Sequence, residues 1–135
     1  MTTELMMLIL TTILAASLWI PFIIGVNTSE APEGFDPFVK PPNFEGFPLW
    51  VQRARRAHLN LIEQFVPFAV IVLIAHTLSV STPVTVWACI AFFALRIAHA
   101  VGMITAITRM PARPIIFTLG WVMILLVAWQ VIAHG

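Results

Sequence analysis

Four stretches of this chain are each long enough and apolar enough to cross a bilayer, and together they leave little room for anything else. They run over residues 4–26, 56–80, 83–108 and 112–134 of 135. A helical crossing needs about 20 mostly apolar residues. Inside hydrocarbon each backbone donor and acceptor must be satisfied within its own segment, so these stretches are expected to be helices. The fold class that follows is an all-α membrane protein, a four-transmembrane-helix bundle forming one domain over residues 1–135. Composition agrees, with 60% hydrophobic and 10% charged residues, against roughly 25% charged in soluble domains. A net charge of +1 argues against a nucleic-acid surface.

The first stretch contains small residues, Ala15, Ala16 and Ser17, of the kind that precede a signal-peptide cleavage site. It lacks a basic leader, and its apolar run continues through Trp19, Phe22 and Ile24, so it is read as a retained helix. Pro21 is expected to kink it.

Charge asymmetry orients the bundle. Of seven Lys and Arg residues, Lys40, Arg53, Arg55 and Arg56 belong to the first connection, Arg109 and Arg113 to the third, and Arg96 lies inside the third span. The second connection and both ends have none. The positive-inside rule then places both basic connections in the cytoplasm and both termini on the non-cytoplasmic side. An integral protein of this size with minimal tails is expected in a bacterial inner membrane. The long connection, residues 27–52, carries Phe35, Phe38, Phe44, Phe47 and Trp50 among prolines. It is expected to lie along the cytoplasmic interface as a strap, or to act as a lid over a site.

The second stretch opens on arginines and then carries Asn60, Glu63 and Gln64 into apolar surroundings, reading RARRAHLNLIEQFVPF over residues 53–68. Arg53, Arg56, Asn60, Glu63 and Pro67 recur at steps of three and four, which places them on one helix face. Glu63 falls about 15 Å below the start of that motif, near mid-membrane. Polar groups at such depth pair with each other, with neighbouring helices or with a ligand. The third stretch holds Arg96, also near mid-membrane, and a Glu63–Arg96 pair within or between subunits is the simplest expected neutralisation. His76 is read as interfacial. The last stretch, past Arg113, reads as a plain spanning helix with aromatic ends.

Several chemistries are excluded. There is no HExxH, no G-x-S-x-G and no P-loop. The four histidines are scattered, so no metal site is expected. Cys89 stands alone in an apolar run and is read as a buried, inert thiol. What remains is a cluster of Arg56, Asn60, Glu63, His99 and Arg113. Arginine offers paired donors to carboxylates, glutamate accepts from an ammonium, and asparagine both donates and accepts along a peptide. An arginine beside a thiol favours the thiolate. Glutathione fits this description. A small proton-linked transporter using Glu63, Arg96 and His99 is an alternative that predicts pH-dependent flux.

Three motifs carry a resemblance. Residues 53–68, with Arg56-Ala57-His58, Asn60, Glu63 and Pro67-Phe68, resemble the second-helix signature of the MAPEG family, the membrane-associated proteins of eicosanoid and glutathione metabolism. Arg96-Ile97-Ala98-His99 resembles its third-helix element, and Pro111-Ala112-Arg113 with Phe117-Thr118 resembles the start of its fourth helix. The resemblance implies a homotrimer in the lipid bilayer with glutathione bound between neighbours. It implies that Arg56, His58, Asn60, Glu63 and His99 bind glutathione and that Arg113 is catalytic, stabilising the thiolate. The implied activity is a glutathione-dependent transferase or peroxidase acting on lipophilic electrophiles or lipid hydroperoxides. The chain departs from the family pattern in having no tyrosine: Met103 and Phe117 stand where members usually have one. Leu59 and Pro114 replace an arginine and a serine found in some members, and the first helix has no arginine. A non-catalytic lipid- or glutathione-binding scaffold is therefore the second reading.

Overall fold

In a computed structural model of the chain, residues 1–36, 38, 43–108 and 110–135 are described. Lys40 and Arg109, counted in the charge asymmetry, lie outside the described residues. Among the described residues there are five helices: α1 (Thr3–Ser17), α2 (Ile20–Thr28), α3 (Leu49–Thr77), α4 (Pro83–Ile104) and α5 (Ala112–His134). Four crossings result, because α1 and α2 together form the first, Thr3–Thr28.

The interruption between α1 and α2 falls where Pro21 requires it. A proline has no N–H to give to the carbonyl four residues earlier, here Ser17, and its ring crowds that turn. Leu18 and Trp19 form a turn there, and the Trp19 indole donates to the Ala16 carbonyl at 2.7 Å.

The second crossing begins at Leu49 rather than at residue 56, so Arg55 is helical along with Arg53 and Arg56. Its buried face is continuous from that start: Val51, Ala54, Ala57, Leu61, Gln64, Phe68, Val72 and Ala75 recur at helical spacing. The helix ends at Thr77, short of residue 80, in a turn with Ser79 at φ 57°. Ser79 N–H donates to the His76 carbonyl and Val80 N–H to the Ala75 carbonyl, satisfying two of the final carbonyls and folding Val80 inward. α4 starts on a reciprocal cap between Thr82 and Thr85, with Pro83 in its first turn. It ends at Ile104, ahead of the expected residue 108.

The described part of the long connection is a strap held against α2 and the start of α3. Phe22 meets Phe44 edge-on at 5.0 Å, Phe35 meets Phe47 at 4.9 Å, and Arg55 lies 5.1 Å from the Phe44 ring centre. The Gln52 amide donates to the Glu45 and Phe47 carbonyls. Gly25 permits this approach, since a Cβ there would stand 2.5 Å from Val51 and 2.7 Å from Trp50.

Two apolar clusters fill the bundle. One joins Leu8, Phe68, Val72, Cys89, Phe92, Ile124 and Val127, with Phe68 and Phe92 stacked at 3.9 Å. The other, toward the arginine-rich end, joins Ala15, Leu18, Ala57, Leu61, Ala100 and Met103. Cys89 is a free, buried thiol, with no exposure through which it could react.

Candidate functional site

The polar residues of α3 divide between two faces. Gln64 lies on the buried face, whereas Arg56 and Glu63 are exposed on the other side of the helix. Leu59, Val66 and Val70 share that outer face with Glu63. Pro67 adds to its polarity, because the helix has no N–H at that position to give to the Glu63 carbonyl. A carboxylate and a free carbonyl on an otherwise apolar stripe are poorly served by lipid. Asn60 is half-buried, and its amide donates to the Met103 sulfur at 3.5 Å, joining α3 to α4. Arg53 reaches the Ile104 carbonyl at 3.5 Å, placing a cation at the C-terminus of α4.

The expected Glu63–Arg96 pair does not form within one chain. Arg96 is 1% exposed and points into the α3–α4–α5 core, away from the outer face that carries Glu63. Its Nη2 donates to the Ile116 carbonyl at 3.1 Å, and its guanidinium lies 5.6 Å from the Phe92 ring centre and 5.5 Å from that of Phe117. Beside it the Gln64 amide donates to the next carbonyl, Phe117, at 2.9 Å. Gly120 makes the space: a Cβ there would lie 2.6 Å from both Arg96 Nη2 and Gln64 Oε1. Cation–π contact and the Ile116 carbonyl stand where the carboxylate was expected, while Nε and Nη1 have no hydrogen-bond partner among the described residues.

His99, one helical turn beyond Arg96 on α4, is buried with its ring centre 6.0 Å from Phe117. It lies within electrostatic reach of both Arg96 and Arg113. Arg113 sits in the first turn of α5, half-buried, and its Nε has no hydrogen-bond partner among the described residues. The Nδ1 of half-buried His58 likewise has no hydrogen-bond partner among the described residues. Arg56 borders a cavity of about 200 Å³ with Asn43, Glu45, Gln52 and Arg55 beneath the strap.

The six expected site residues therefore fall into two groups in a single chain. His99 and Arg113 gather at the α4–α5 side of the core, while Arg56 and Glu63 face outward, with His58 and Asn60 intermediate. Sequence reasoning assigned no role to Gln64 or Gly120. The signals were present: Gln64 shares the periodic face of Leu61 and Phe68, and Gly120 interrupts an otherwise bulky helix.

These features define a four-crossing helical membrane protein with a polar seam at its arginine-rich end. The chain belongs to the MAPEG family, whose pattern it matches over residues 5–133. No curated protein matches it at a significant level.

Proposed function

We propose that the protein is a glutathione-dependent membrane transferase or peroxidase for lipophilic electrophiles or lipid hydroperoxides, assembled as a homotrimer. The observation that carries this reading is the Arg113 Nε in the first turn of α5, without a partner among the described residues and within electrostatic reach of buried His99. A guanidinium nitrogen withdrawn from solvent and left without an acceptor fits a site for an anion. Glutathione supplies the nucleophilic sulfur. Arg113 holds positive charge beside that sulfur and keeps it deprotonated. Arg56 binds a carboxylate, Glu63 accepts from the ammonium, and Asn60, His58 and His99 hold the peptide portion. The outward position of Glu63 supports a site completed by a second copy, because the copy would cover the apolar stripe and bring the two groups of residues together.

The absence of tyrosine supports the scaffold reading, since Asn60 bonds a methionine sulfur at a level where the family pattern offers a hydroxyl. Calorimetry of glutathione with detergent-purified protein, combined with an ultraviolet scan for thiolate at neutral pH, separates the two. Binding with a thiolate signal that falls about tenfold in Arg113→Ala is the expected result. Binding without thiolate favours the scaffold. No binding at millimolar glutathione removes both glutathione readings.

A further inference from the structure

The bundle has a second polar centre at its opposite end, where α1 and α4 begin and α3 and α5 finish. Glu4, in the first turn of α1, is 5% exposed. Its Oε1 accepts from Ser81 Oγ at 2.8 Å and from Thr85 Oγ1 at 2.7 Å. Thr85 belongs to the first turn of α4, whose positive dipole end favours a negative charge. Nearby, Thr82 donates to the Gln130 side chain at 2.9 Å, tying α5 to the same point. Glu4 Oε2 has no hydrogen-bond partner among the described residues.

A cavity of about 210 Å³ adjoins this carboxylate. Glu4, Ser79, Ser81, Thr2 and His76 supply its polar lining, and Val72, Ala75 and Val80 supply apolar wall. The turn after α3 builds that wall by folding Val80 inward. None of the described Lys or Arg residues lies at this end. Arg53, Arg55, Arg56 and Arg113 occupy the starts of α3 and α5, Arg96 lies in the fourth turn of α4, and Met1 is exposed. Among the described residues, the cavity wall carries one buried carboxylate, whose Oε2 makes no hydrogen bond, and no cationic side chain except His76, itself exposed at the rim.

We propose that this cavity binds a primary ammonium group, with Glu4 as its counter-charge, and that the group comes from the headgroup of an aminophospholipid. Three features select this chemistry. Calcium and magnesium take six or more oxygen ligands, and the described residues gather no group of three His, Cys, Asp or Glu here, whereas a single carboxylate with a few hydroxyls suits the three donors of an ammonium. The apolar wall matches the methylenes that an alkylammonium carries and a bare ion lacks. The cavity also sits where the crossings terminate, at headgroup depth, so a lipid of the adjoining leaflet can present its amine there. A quaternary choline has no N–H to give to Oε2 and should be rejected.

This inference is independent of the glutathione site and can be tested without it. The protein is reconstituted in nanodiscs of mixed phosphatidylethanolamine and phosphatidylcholine, and retained lipid is read by native mass spectrometry. Phosphatidylethanolamine should be retained about tenfold over phosphatidylcholine, and Glu4→Gln should abolish the preference. Equal retention of the two lipids, with no thermal stabilisation by soluble ethanolamine, would overturn the proposal. Stabilisation by ethanolamine alone would keep the ammonium site and assign it to a free amine, overturning only the lipid source. If Glu4→Gln does not fold, Ala75→Leu narrows the cavity and keeps the carboxylate. Loss of the preference in that variant supports the site, and an unchanged preference counts against it.

Discussion

Arg96 and Glu4 are both buried charges without an ionic partner among the described side chains, and the bundle accommodates them by opposite means. Arg96 lies deep in the core between the rings of Phe92 and Phe117, with Ile116 and its carbonyl at the tip. Glu4 stays at the end of the bundle, held by hydroxyls of Ser81 and Thr85. The sign of the charge explains the depth. A cation needs electron-rich partners, and aromatic faces and helix carbonyls occur at every level of a membrane bundle. An anion needs donors, which in an apolar bundle are scarce except at a helix start, where N–H groups and capping hydroxyls are free. Glu63 has neither arrangement within one chain, which sets it apart from both.

Three substitutions test this contrast. Phe92→Ala has the largest expected effect, because it removes the stack with Phe68 and one of the two faces over Arg96. A loss of about 3–5 kcal/mol is expected in detergent unfolding followed by circular dichroism. A loss near that of a surface change would mean that the ring does not hold the guanidinium. Gly120→Ala comes next, at about 1–3 kcal/mol, since the new methyl must displace Arg96 or Gln64. An unaffected Gly120→Ala protein would show that both side chains have room to move. Glu63→Gln should change the stability of the isolated chain least, within about 0.5 kcal/mol. Sedimentation of the same variant sharpens the comparison: weakened self-association would assign the missing partner of Glu63 to another copy.

The four crossings were legible because their length and apolarity are set by the bilayer rather than by packing detail. The break near Pro21 was legible for the same local reason. The start of α3 at Leu49 was not, because residues 49–52 follow a proline-rich stretch and read as part of the connection. Yet Val51, Ala54 and Ala57 already carry the buried periodicity, with Arg53, Arg55 and Arg56 off that stripe. Depth alone suggested that Glu63 and Arg96 meet. Depth does not fix the direction a side chain takes around a helix, and here the two diverge. Glu4 went unassigned because a carboxylate at the head of a span reads as a boundary marker. Only the folded bundle brings Ser81 and Thr85 to it, from some eighty residues along the chain.

Gly120 also bears on how the bundle assembles. After insertion, neighbouring crossings are free to slide against one another, and their lipid-like surfaces offer little to stop them. Sliding α5 by one helical turn would bring the side chain of Ile116 or Ile124 to the place where Arg96 and Gln64 now meet. Only one alignment offers the guanidinium an empty notch. A single missing side chain thus serves as a vernier mark that fixes α5 lengthwise, and with it the height in the membrane at which Arg113 is presented.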